Sequence, residues 1–88
     1  MEIYYSGRFA KSYKKLPEKT RESARKREKI FRKDPFDSRL KTHKLKGNLS
    51  GFWAFSIDDS YRIIFEFRDK NTVWFLLAGN HSIYEKWD

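Results

Sequence analysis

The chain has 88 residues, 18% of them aromatic, and no cysteine. That length suits one small domain with one core, which a few large rings can fill; without cysteine, disulfide frameworks and thiolate–metal sites are excluded. The formal net charge of +8 is uneven, with 16 Lys/Arg against 6 Asp/Glu in residues 1–50 and 4 against 6 in residues 51–88. Such a basic half suits a polyanionic partner, either nucleic acid or an acidic protein that masks it, although a lysine-rich helical surface kept in water is the plainer explanation.

In chain order, Glu2-Ile3-Tyr4-Tyr5 is rich in β-formers and predicts a short strand. Ser6 is a fair N-cap for a short amphipathic helix carrying Phe9, Tyr13 and Leu16 at helical spacing, and Pro17 ends it or opens the next. Residues 18–33 lack Gly and Pro and predict a second helix. Its apolar stripe is thin: Ala24, Ile30 and Phe31, with Thr20 and the stem of Arg27 on the same side. Asp34-Pro35 closes it. Two such helices joined at a proline corner make an antiparallel hairpin carrying most of the basic charge.

From Lys44 onward, strands and tight turns take over: Phe52–Ile57, an Asp58-Asp59-Ser60 turn, Tyr61–Phe67, an Asp69-Lys70-Asn71 turn and Thr72–Ala78. Turns this short force antiparallel neighbours. Tyr61, Ile63, Phe65 and Phe67 share a core face; Arg62, Ile64, Glu66 and Arg68 share the other, a partly sheltered floor. The expected fold is α+β, in the order β-α-α-β-β-β. A helical hairpin packs on one face of a twisted, mainly antiparallel four-stranded sheet, forming a single domain over residues 1–88.

On the open face of that sheet, His43, Arg62, His81 and Tyr84 could converge. RNA cleavage without a metal needs one group to take a proton from the ribose 2′-OH and another to return one to the departing 5′-oxygen. It also needs a fixed cation on the phosphate between them. Histidine suits the first two tasks and the forked donors of arginine suit the third. Each residue also has a plain structural explanation. The histidines could be surface or capping residues, Arg62 could pair with Glu66, and Tyr84 could be a core ring. Lys44 and Lys46 could be edge-strand lysines that guard against aggregation, and Asp58 and Asp59 are better explained by a turn than by acid–base work. Trp53, Trp74 and Trp87 could stack bases, but the first two lie in strand runs and are expected in the core. With two histidines and no HExxH-like cluster, neither a metal nor another cofactor is expected. Met1–Tyr5 lacks the regions of a signal peptide and no apolar run could span a bilayer, so the expected location is the cytoplasm, away from membranes.

Leu45-Lys46-Gly47-Asn48-Leu49-Ser50-Gly51-Phe52-Trp53 resembles the Leu-Lys-x-x-Leu-x-Gly-aromatic-Trp pattern of the RelE/ParE superfamily of type II toxin–antitoxin toxins, particularly its YoeB and YafQ branches. Tyr61-Arg62-Ile63-Ile64-Phe65 resembles the arginine-bearing strand that follows there. Gly79-Asn80-His81-Ser82-Ile83-Tyr84 is similar to the Gly-x-His-x-x-Tyr ending of RelE relatives. The likeness covers nearly the whole chain. It implies a RelE-like fold and a toxin that cuts mRNA in the ribosomal A site, binds ribosomal RNA and is neutralised by a cognate antitoxin. It implies that Arg62 contacts the scissile phosphate, His81 is the general acid, and Tyr84 is the nearby aromatic. His43 stands at an acid–base position that is glutamate in the YoeB branch and histidine in the YafQ branch. Lys44 and Lys46 fall near basic RNA-binding positions. RelE proper lacks this histidine pair, so its proton transfers do not carry over. Two other functions stay open: a ParE-type toxin acting on a protein such as gyrase, which lacks the ribonuclease set, and a non-catalytic RNA-binding module.

Overall fold

The computed structural model describes residues 1–84, so Trp87 lies outside the described residues. Strand β1 (Glu2–Tyr5) leads into helices α1 (Gly7–Lys14) and α2 (Glu18–Lys33), followed by strands β2 (His43–Lys44), β3 (Trp53–Ser56), β4 (Arg62–Asp69) and β5 (Thr72–Gly79). The sheet order is β1-β5-β4-β3-β2, with β1 parallel to β5 and every other neighbouring pair antiparallel. The expected order of elements holds. The sheet has five strands rather than four, because His43–Lys44 pairs with Trp53–Ala54 along its edge.

Local chemistry places the helices. Ser6 Oγ accepts the Phe9 N–H at 2.9 Å, an N-cap for α1. Beyond Lys14 the chain turns at Pro17, and Arg21 Nη1 reaches back to donate to the carbonyls of Lys14 (3.1 Å) and Leu16 (2.9 Å). That one guanidinium occupies carbonyls left over at the end of α1 and ties the hairpin corner. α2 stops where Asp34 becomes extended ahead of Pro35, which disfavours a helical residue before it.

The main core lies between the hairpin and one sheet face. Phe31, the anchor of the thin α2 stripe, is fully buried, with ring centroids 4.9 Å from Phe55, 5.0 Å from Phe65 and 5.4 Å from Phe75. Ile63 and Phe65 belong to this core with Tyr61 and Phe67 at its margin, the face that strand alternation predicts. Trp53 sits half-buried at the same margin, whereas Trp74, also half-buried, has the Arg68 guanidinium 4.5 Å above its ring.

One irregularity re-aims β5. Ile64 pairs with Leu77 but Phe65 pairs with Phe75, so Leu76 is an extra residue, a β-bulge. Phe75 therefore joins the main core, while Leu77 joins Ile64 and Ile83 in a second cluster on the opposite face. α1 stabilises the bulge. Ser6 Oγ donates to the Leu76 carbonyl (3.1 Å), and Ser12 Oγ accepts the Ala78 N–H (3.0 Å), where β1 has already ended.

Candidate active site

The sheet register fixes two of the four candidates directly. His43 opposes Ala54, Ala54 opposes Ile64, and Ile64 opposes Leu77, one cross-strand row on the face without helices. Arg62 opposes Ser56 and Gly79 and lies two residues from Ile64, on the same face and one step along. Below them is the second cluster, Ile64, Leu77 and Ile83, with Leu45, Phe52 and Tyr84 packed against it. This is the sheltered floor expected for that face. Three interstrand steps separate β2 from β5, about 14 Å, with Arg62 on β4 between them.

Arg62 is held by the backbone. Its Nη1 donates to the carbonyls of Asp58 (2.8 Å) and Tyr61 (3.1 Å), while Asp58 Oδ1 accepts the N–H groups of Ser60 (2.9 Å) and Tyr61 (2.8 Å). The aspartate thus shapes the β3–β4 turn, and the turn aims the arginine. Glu66 pairs with Arg68 at 3.1 Å instead, and among the described residues Arg62 makes no ion pair. A guanidinium steadied by carbonyls keeps its full positive charge for an anion.

His43 is exposed, with Nδ1 3.0 Å from the Lys41 carbonyl. A carbonyl only accepts, so Nδ1 carries the proton and the lone pair of the neutral ring falls on Nε2. Lys41 offers that carbonyl from a left-handed backbone (φ 52°, ψ 39°), an uncommon conformation for a residue with a Cβ.

His81 and Tyr84 sit on a single 3-10 turn, His81–Tyr84, that leaves the end of β5. Asn80 Oδ1 caps it, accepting from Ser82 N (3.0 Å) and Ser82 Oγ (2.7 Å). The turn folds back because Gly79 leaves room, since a Cβ there would stand 2.2 Å from Ile83 Cγ2. Ile83 is buried in the cluster with Ile64 and Leu77, His81 stays exposed and Tyr84 is half-buried. Burial raises the Tyr84 phenol above its ordinary pKa and the nearby Arg62 charge opposes the rise, so hydroxyl and guanidinium sense one another.

The two lysines are not gathered in. Lys44 opposes Trp53 on the other face, with its ammonium 5.4 Å from that ring, and Lys46 is exposed just before the 3-10 turn Gly47–Leu49. Among the described residues, no group of three or more His, Cys, Asp or Glu could hold a metal ion, and no helix is long and apolar enough to cross a membrane. Sequence reasoning missed the positioning parts: Gly79, the Asn80 cap, the Asp58 and Lys41 carbonyls, and the bulge at Leu76. The Asn-x-Ser spacing at the end of β5 was a usable signal for the cap; the carbonyls leave no trace in a sequence.

The family described as bacterial toxin of type II toxin–antitoxin system, YafQ, matches residues 1–85. Over 41 residues the chain is 42% identical to Toxin YoeB of Streptomyces coelicolor, covering 47% of this chain and 49% of that protein. Over 45 residues it is 37% identical to Toxin YoeB of Synechocystis, covering 51% and 52%. The chain therefore spans about half the length of the curated relatives it matches. YafQ of E. coli superposes with a TM-score of 0.78 at 17% identity, covering 94% of this chain and 96% of that one. The YoeB–YefM complex of Staphylococcus aureus gives 0.73 at 21%, covering 92% and 97%. Similarity at those identities speaks for the fold, which is the expected RelE-like one. By the match over nearly its whole length, the chain belongs to the YafQ family of type II toxin–antitoxin toxins.

Proposed function

We propose that this protein is the toxin of a type II toxin–antitoxin system and acts as a ribosome-dependent mRNA endoribonuclease, with no metal in the reaction. His43 Nε2 takes the proton from the ribose 2′-OH, and the 2′-oxygen attacks phosphorus. The P–O5′ bond breaks, His81 protonates the departing 5′-oxygen, and the products are a 2′,3′-cyclic phosphate and a 5′-hydroxyl. Arg62 neutralises the charge gathering on the phosphate. Tyr84, kept protonated by its surroundings, orients the substrate or stacks on a base. Lys44 and Lys46 contact RNA away from the reacting atoms, and the basic hairpin faces ribosomal RNA. The cognate antitoxin covers the toxin in the cytoplasm, as YefM accompanies YoeB and DinJ accompanies YafQ in solved complexes. A single domain over residues 1–88 carries all of this.

The observation that supports the reading most is the placement of Arg62. It is a guanidinium without a carboxylate partner among the described residues, on the face that carries His43 and in electrostatic reach of Tyr84. The test is to express the protein without antitoxin and map mRNA 5′-ends on translating ribosomes, beside His81→Gln and Arg62→Ala. Loss of one proton-transfer group should cost about 10²–10⁴-fold in cleavage. Growth arrest undiminished in both variants overturns the mechanism. Intact mRNA with a DNA-damage response points to a ParE-type protein target, and RNA binding without cleavage to a binding module.

A further inference from the structure

A cavity of about 420 Å³ lies between α1 and the end of β5, and none of the four catalytic candidates lines it. One wall carries Arg8, Lys11 and Lys15; the other is the Gly79–Ile83 turn, with Tyr61 also in the lining. No lining residue is a carboxylate. Arg8, Lys11 and Lys15 follow one another at i, i+3 and i+7, a single stripe along the helix. Such a stripe is unfavourable by itself. Like charges at these spacings repel, and α1 has no acidic residue in its first turn to offset them or to suit the positive end of the helix dipole. Lys11 and Lys15 are exposed and form no ion pair among the described residues.

The groove opens on the helix side of the sheet, at the end where Arg62 pairs with Gly79. Tyr61 and Arg62 point to opposite faces, so an RNA strand leaving Arg62 reaches the groove by rounding that end, where Asn80 and Ser82 of the lining flank His81. The volume falls within the range of small-ligand sites, about 300–1,000 Å³. The half-buried Tyr61 ring offers a base something to lie against.

We propose that this groove holds the backbone of single-stranded RNA beside the scissile phosphate, with Lys11 and Lys15 on phosphate oxygens. The inference rests on the RNA-cleaving reading of the neighbouring site and adds the path of the substrate to it. The full-length chain carrying His81→Gln, which suppresses cutting, is titrated with a fluorescein-labelled, uridine-rich single-stranded RNA at several salt concentrations. Removing one lysine–phosphate pairing flattens the dependence of log affinity on log salt by about 0.7. Replacing both Lys11 and Lys15 by Gln should therefore flatten the slope by about 1.4, while Lys26→Gln with Lys29→Gln on α2 leaves it steeper. Photo-crosslinks from 4-thiouridine in the RNA should fall on the α1 peptide. Equal slopes for the two pairs, an unchanged slope for the α1 pair, or crosslinks confined to α2 overturn the proposal. The outcomes separate from those of mRNA-end mapping. If messages are cut but the α1 pair binds RNA normally, the groove inference falls alone. If the α1 pair flattens the slope but no message is cut, only the cleavage reading falls.

Discussion

Gly79 is where a single hydrogen atom decides the position of the candidate acid. Ile83 Cγ2 occupies the space a Cβ would need, at 2.2 Å, and Ile83 is buried, so neither side can yield without moving the turn that carries His81 and Tyr84. Gly79→Ala should cost about 1–3 kcal/mol by overpacking, read as a lower urea midpoint, and should lower RNA cleavage further by displacing His81. Truncating the opposing side chain, in the double variant with Ile83→Ala, should recover part of the midpoint. If the two losses simply add, the contact is not what fixes this glycine. The sequence pattern at this scale was partly readable. Alternation along Tyr61–Phe67 assigned Arg62 to its face, while Gly79-Asn80-His81-Ser82 was legible only as part of a motif and not as the turn it forms. A pairing of Arg62 with Glu66 fails on strand geometry: both arginines lie on the glutamate's face, but Arg68 is two residues from it, about 7 Å along the strand, and Arg62 four, about 13 Å.

Among the elements, the least legible was the edge strand that presents His43. Two residues are too few for alternation to show, and what positions them lies upstream, in the 3-10 turn Ser38–Leu40. Leu40 is fully buried there, and Asp37 caps the turn, accepting from Arg39 N, Nε and Nη2, each at 2.9 Å. These hydrogen bonds from Arg39 lower the Asp37 carboxyl to about 2. An unfolded aspartate titrates near 3.9. The folded pKa is the lower one, so the stabilisation is complete above about pH 4 and is lost as pH falls toward 2. In urea unfolding followed over that window, Asp37→Asn should be less stable than the parent near neutrality, and the gap should close with acid. A gap that stays constant would mean the capping charge contributes nothing. The bulge at Leu76 was hidden for a related reason. Ser6 and Ser12, 70 and 66 residues from their partners Leu76 and Ala78 in sequence, take up backbone groups at and beside it, and no local pattern records such a partner.

For the molecule as a whole, charge and stability pull against each other. The sequence carries twenty Lys/Arg against twelve Asp/Glu, the fold measures 31 × 29 × 24 Å, and the three ion pairs among the described residues are partly or largely exposed. Exposed pairs contribute little, about 0–1 kcal/mol each, so repulsion within the basic hairpin is the larger electrostatic term. The screening length is about 10 Å at 0.1 M salt and about 3 Å at 1 M. At the lower concentration neighbouring cations on α1 and α2 still repel; at the higher they barely do. The folded chain should therefore become more stable as sodium chloride rises across that range, with the urea midpoint moving up. RNA affinity should fall over the same interval, because released counterions drive that association. The two responses have opposite signs, which is expected of a surface that keeps unneutralised charge for a polyanion. A midpoint that drops with salt would mean that attraction between the pairs dominates, and the basic hairpin would then need another reason for its charge.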